Sequence, residues 1–224
     1  MALQTEPMAL ERLPLTRQRV LAAAVDLADD AGIDGLSMRR VAEALGTGPA
    51  SLYAHVSGKE ELLELMLDRL AGGVVVPDPD PDRWQEQVKD CVRAIYREFV
   101  ARPGLAAASL GKIPTGPGTM VTIDRFLGLL RAGGLPDRVV AYAADILTLY
   151  ATAYAFEQGI YAERMSGDAG ARYLGEIGTY FGALPADRFP NIAALREDLL
   201  AGGEGDERFE FGLEMLVAGI AAER

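Results

Sequence analysis

The chain has 224 residues, about half of them hydrophobic, and a formal net charge of −11. That length permits one large domain or two small ones with ample core. The acidic balance predicts a weak non-specific hold on phosphate backbones, but charge is an average and leaves room for one basic patch. A single cysteine, Cys91, excludes an internal disulfide framework. No continuous apolar run of transmembrane length stands out, and the first twenty residues carry acids without an apolar centre. Neither a membrane span nor a signal peptide is expected, and a cytoplasmic protein is the simplest outcome.

Residues 1–15 hold two prolines and no clear period, and read as a mobile arm. Thr16 is a good N-cap for a first helix in which Val20, Ala24, Leu27, Ala28 and Ala31 recur at helical spacing up to Gly32. Ser37 caps a second helix with Val41, Ala42 and Leu45 inward and Gly46 at its end. Pro49 suits the first turn of a third helix, where its missing N–H costs nothing, and Leu52 and Val56 point into a small core. Ser57 and Glu60, three apart, form the expected capping box of a fourth helix ending at Gly72-Gly73. Alternating prolines from Pro77 to Pro81 then stop any helix. The predicted organisation is an arm over 1–15, a small domain of short helices over 16–73, a linker over 74–82 and a larger helical domain over 83–224.

Beyond the linker the pattern is again helical: about 82–101, 105–111, 119–132, 136–165, 168–183, 192–200 and 207–222, with Gly and Pro signals between. No stretch alternates long enough to be a strand, so the fold class is all-α. Two of these helices are apolar on more than one face. In the last, Phe209, Leu213, Leu216 and Ile220 make one stripe and Phe211, Met215 and Ala222 another. In the long one, Tyr150 and Tyr154 share a stripe with Val139, Ala143, Ile146 and Leu147, while Tyr142, Leu149, Ala153, Phe156 and Ile160 make a second. A monomer's outer helix needs only one stripe. Either both are central core helices, or one face packs the core and one packs a second copy. The second reading gives a homodimer interface through Phe156, Ile160, Phe209, Leu213, Leu216 and Ile220.

From Leu36 to Leu62 the pattern is a helix, a tight turn, a second short helix and a capped start to another. Two helices joined in this way place the second in the major groove of DNA. These residues resemble the DNA-binding module of the TetR (tetracycline-repressor) family. The match rests on Leu36-Ser37, Val41-Ala42, Leu45-Gly46, Ser51-Leu52-Tyr53, His55-Val56 and Lys59-Glu60-Glu61-Leu62, without insertions. The prolines, the long helix and the closing FEFGLEMLVAGI run resemble the helical regulatory domain of the tetracycline-repressor branch. The resemblance implies a homodimer that binds double-stranded, palindromic operator DNA as a repressor. A small apolar or aromatic effector, whose identity the residues do not name, would enter the C-terminal domain and release it. Carried over residue by residue, Arg39, Thr47, Pro49, Ala50 and Ser51 fall where base edges are read or DNA is touched. Tyr53, His55 and Lys59 match phosphate-contacting positions. Gly48, Pro49, Ala50 and Ala54 bring little hydrogen-bonding capacity, so direct readout rests on Thr47, Ser51 and Arg39 together with apolar contact to thymine methyls. The alternative is a dimeric helical small-molecule binder without specific DNA binding.

Catalytic and metal chemistry finds no support. The only histidine, His55, lies in the DNA module, so a Ser/His/Asp site has no base elsewhere, and one His with one Cys cannot build a structural zinc site. Asp78, Asp80 and Asp82 alternate like a calcium loop, but Arg83 and Lys89 stand where the turn Gly and bidentate Glu belong. No enzyme, cofactor, metal or membrane partner is expected. Regulatory domains of this branch hold a metal-chelated drug with help from a histidine of their own, and this chain has none in its regulatory domain. For the effector pocket, Phe99, Met120, Phe126, Tyr150 and Tyr154 supply apolar and phenolic walls and Glu157 a polar end.

Overall fold

The computed structural model describes residues 14–200 and 206–224, and among them it is all helix. The call of a mobile arm over 1–15 falls almost wholly outside the described residues. The chain forms two compact units, residues 1–62 and 63–224. The division lies ahead of the expected 74–82 linker, within the fourth helix. The linker itself belongs to the second unit. Val74 and Val76 are buried, and Gln87 accepts a hydrogen bond from the Asp80 N–H at 2.9 Å while donating to the Asp78 carbonyl at 2.8 Å.

The first unit holds α1 (Arg17–Ala31), α2 (Met38–Ala44), α3 (Pro49–Leu52) and the start of α4 (Lys59–Gly72). Val20, Ala24, Leu36, Val41, Ala42, Leu52, Val56 and Leu62 form its core, each at most 2% exposed, with Ala28 buried at 6%. The small side chains let three short helices approach closely around one apolar centre. Thr16 and Ser37 cap α1 and α2 as expected, accepting from the Arg19 and Arg40 N–H groups.

The second unit contains α5 (Trp84–Val100), α6 (Pro103–Ser109), α7 (Pro117–Ala132), α8 (Asp137–Arg164), α9 (Gly167–Gly182), α10 (Pro190–Ala194), α11 (Arg196–Leu200) and α12 (Glu207–Ala221). Three of them begin with a proline in the first turn, where φ is already helical and no N–H is wasted; α3 in the first unit does the same. The expected helix over 192–200 is instead two short ones that meet at Leu195. The centre of the unit is α8, packed against α5, α6, α7 and α12. By length and composition alone α8 would also suffice to cross a membrane, a property that the core helix of a soluble protein shares. Its Val140, Ala143, Leu147, Ala151 and Ala155 are buried at 4% or less.

The structure corrects the expected dimer stripe on α12. Phe209 and Leu213 are fully buried, as is Val217 at 2%. The reason is polar as well as apolar. Glu210 and Glu214, one residue along from them, pair with Arg93 and Lys89 of α5, which turns that side of α12 inward. Phe211 and Met215 face out, 70% and 61% exposed. Phe156, Ile160, Leu216 and Ile220 are half-buried.

Candidate nucleic-acid interface

The turn between α2 and α3 is set by backbone chemistry. Gly46 adopts φ 64°, a left-handed conformation that glycine takes without steric cost. The Thr47 N–H then reaches the Ala42 carbonyl at 2.9 Å and the Gly46 N–H the Glu43 carbonyl at 3.1 Å. This is the Schellman pattern, which satisfies the last carbonyls of α2 while reversing the chain. It delivers Gly48, Pro49, Ala50 and Ser51 as a continuous exposed edge, with Leu52 anchored beneath at 0% exposure. Thr47 is half-buried. Tyr53 is 56% exposed beside the edge, and His55 is half-buried.

The basic groups around this edge divide in two. Arg40 Nη1 donates to the Gly35 carbonyl at 2.8 Å, which ties it to its own turn. Arg39, one position earlier and about 100° round the helix, is exposed and meets Glu43 at 3.6 Å. Lys59 Nζ donates to the Ile33 carbonyl at 3.1 Å, so the start of α4 is held to the loop before α2. An ammonium has three protons, and this bond uses one of them. The cap of α4 differs from the expected pair: the Ser57 N–H donates to Glu61 Oε2 at 2.6 Å. Glu61 also receives Arg17 from α1. The Ser57 bonds, with Arg17 beside them, hold the Glu61 carboxyl below its usual range.

In the second unit the structure gathers four rings. Tyr96 of α5 stacks on Phe209 of α12 with centroids 3.9 Å apart, and Tyr150 of α8 stacks on Phe209 at 5.3 Å. Tyr154 packs edgewise to Tyr96 at 5.9 Å and tilted to Phe209 at 5.6 Å. The hydroxyls behave differently. Tyr96 donates to Asp206 Oδ1 at 2.7 Å, and Tyr150 to the Phe209 carbonyl at 3.0 Å. The Tyr154 hydroxyl is shielded from solvent with no hydrogen bond of sound geometry among the described residues. Burial is the main reason all three phenols lose their protons less readily than usual. A separate groove of about 630 Å³ opens between α8 and α12, lined by Tyr142, Ile146, Met215, Leu216, Ile220 and others.

Two family descriptions cover most of the chain. Residues 20–66 match the bacterial regulatory proteins of the tetR family, and residues 76–224 match the tetracyclin repressor-like C-terminal domain. The chain belongs to the TetR family. It is 35% identical to the HTH-type transcriptional repressor DrrR1 of Streptomyces coeruleorubidus, over 92% of this chain and 77% of that one. The crystal structure of apo ActR from Streptomyces coelicolor superposes with a TM-score of 0.85 at 42% identity, covering 94% of this chain and 97% of that one. ActR in complex with actinorhodin gives 0.86 at 41% identity, covering 96% and 97%. This TetR-family protein is therefore a DNA-binding transcriptional regulator, and its relatives are regulators rather than enzymes.

Within the TetR-family frame, the DNA-site candidates fall together: Arg39, Pro49, Ala50, Ser51, Tyr53 and Lys59 are exposed in one small unit, with Thr47 and His55 half-buried. The effector candidates do not. Tyr150 and Tyr154 meet in the ring cluster, while Phe99 and Phe126 are buried at 7% and 4% with no ring contact to it among the described residues. Met120 is 42% exposed and Glu157 exposed. The cluster includes two residues the sequence reading places elsewhere or omits. Phe209, expected at a dimer face, is its centre. Tyr96 lies on the inward stripe of α5 with Val88, Val92 and Phe99, and the i, i+4 and i+3 spacing was the available signal.

Proposed function

We propose that this regulator is a homodimeric, cytoplasmic repressor that sits on a palindromic operator and leaves it when a small apolar or aromatic molecule binds the second unit. The exposed 48–51 edge, mounted on a backbone-defined turn over buried Leu52, carries the DNA half of the reading. Thr47, Ser51 and Arg39 supply direct base contacts, and Tyr53, His55 and Lys59 supply phosphate contacts. The effector half is supported by the likeness to ActR, a protein seen in complex with actinorhodin. The phenol-lined cluster of Tyr96, Tyr150 and Tyr154 offers the matching chemistry, since the Tyr154 hydroxyl makes no hydrogen bond of sound geometry among the described residues. Release requires that the effector bind the off-DNA state more tightly than the on-DNA state.

The dimer is supported by the outer faces of α8 and α12. Tyr142, Ile146, Leu149, Phe211 and Met215 are 46–70% exposed, a run of apolar surface that a monomer leaves wet. A second copy across the α8–α12 groove would cover it. Band-shift titration with the DNA upstream of the protein's own gene tests the reading. A salt-sensitive complex, dissolved by an aromatic effector such as actinorhodin, is expected. No complex on any palindromic sequence would leave the alternative, a helical small-molecule binder, which the −11 charge and the sparse reading edge favour. Sedimentation of a stable monomer at micromolar concentration would remove the dimer.

A further inference from the structure

One helix supplies residues to both units. α4 starts at Lys59, whose ammonium is held to Ile33 in the first unit, and continues to Gly72 in the second. It is not among the broadly packed helix pairs of the second unit. Alongside the buried Leu63 and Met66, a compact polar crossing ties its far end to the start of α7. Asp68 Oδ1 accepts two hydrogen bonds from Thr119, one from the backbone N–H at 2.8 Å and one from the hydroxyl at 2.9 Å. The N-cap of α7 is Gly116, which has no side chain to offer its own first turn. A carboxylate from α4 therefore satisfies one of the orphan N–H groups and faces the positive end of the α7 dipole. The debt is returned one turn later: the Thr122 hydroxyl donates to the Ala71 carbonyl of α4 at 2.9 Å.

The fit is close at three glycines, and closest at Gly116. A methyl group on Gly116 would lie 2.0 Å from Asp68 Oδ1, and one on Gly118 would lie 3.0 Å from the Asp68 carbonyl oxygen. A methyl on Gly72 would lie 3.2 Å from Gly118 Cα. Two helix ends that cap each other across touching backbones cannot slide past one another by a fraction of a turn. Either cap would break first.

We propose that Asp68 is a positioning residue for the regulatory response: by capping α7 it makes the end of α4 and the start of α7 move as one body. A displacement of α7 then reaches the helix that begins beside the DNA-reading turn. The proposal rests on the repressor reading above and deepens it by naming the joint.

The test uses the full-length protein and the DNA upstream of its own gene, without effector. Asp68→Ala and Thr119→Ala should each weaken operator binding by about five- to tenfold. The double variant should lose no more than either single one, because both remove the same joint. Asp68→Asn keeps an acceptor oxygen at the same place and should bind like the parent. Should Asp68→Ala fail to fold, Gly116→Ala drives a methyl against the Asp68 carboxylate with every partner present, and the same loss is expected. A purely local cap would lower the melting temperature and leave operator affinity unchanged in the folded protein; that result overturns the proposal. If the parent retains no DNA, the repressor reading fails by itself, and hydrogen exchange decides the joint. Asp68→Ala should then speed amide exchange in residues 59–66 as well as 117–122. Unchanged protection in 59–66 would overturn it.

Discussion

The two units are held together by different means. The first is built from short helices whose ends are dictated locally: a side-chain cap at Thr16, another at Ser37, a left-handed glycine at 46 and a proline at 49. The second is built from longer helices whose facing is dictated by partners far away in sequence. Phe209 stacks on Tyr96, Glu210 chelates Arg93 and Glu214 meets Lys89, each across more than a hundred residues. Local rules define a surface to within a side chain. Distant pairings define it only once the partner is known.

Breaking the core of the first unit should have the largest effect. Leu52→Ala empties a fully buried site beneath the reading edge and should cost about 2–5 kcal/mol. Thermal melting should show the loss, together with abolished operator binding, while the ring cluster of the second unit keeps its near-ultraviolet signal. Next comes the turn. Gly46→Ala forces a side chain into φ 64° and should cost about 1–2 kcal/mol, read as a lower melting temperature and weaker DNA binding without a change of sequence preference. A smaller and more selective pair concerns the edge itself. Lys59→Ala should weaken binding to all sequences alike and reduce the salt slope by about one, while Ser51→Ala should change the preferred bases. Equal losses on every sequence for both variants would contradict the division into phosphate and base contacts.

The smallest effect sharpens the contrast from the other side. Arg93 holds the Glu210 carboxyl below its usual range through a two-pronged pair, with Nε at 2.9 Å and Nη2 at 2.8 Å. A lowered folded pKa contributes stability above the unfolded value and loses it as pH falls through the folded one. Melting temperature should therefore drop between about pH 5 and pH 3 more steeply in the parent than in Glu210→Gln. Glu210 is partly exposed, so the difference should be modest. Parallel curves would show that the pair orients α12 without stabilising it.

The same contrast explains what was legible beforehand. Helix order, the all-α class and the α2–α3 turn follow from residues within a few positions of each other. The cap of α4 shows where local rules stop. Both Glu60 and Glu61 stand near Ser57 in the chain, and Arg17, more than forty residues earlier, sits at Glu61. On α12 two apolar stripes compete, and periodicity cannot say which turns inward. The acids beside Phe209 and Leu213 settle it by finding Arg93 and Lys89 on α5. Tyr96 was readable as a core position but not as a ring partner of Tyr154, because edge-to-face geometry depends on how α5 and α8 cross.

The burial of Phe209 and Leu213 also bears on the order of events during synthesis. The first unit is complete in sequence at Leu62, whereas the second also needs residues that begin only at Asp206 to complete the packing of α5. Domains generally fold as units with the N-terminal one first, at about 5–20 residues per second. A nascent chain thus holds a complete set of reading-head residues for roughly ten seconds or more before the body that governs them can close. In that interval the ring of Tyr96 lacks Phe209 as its cover, and it is this side of α5, rather than the DNA-binding end, that a chaperone would have reason to hold.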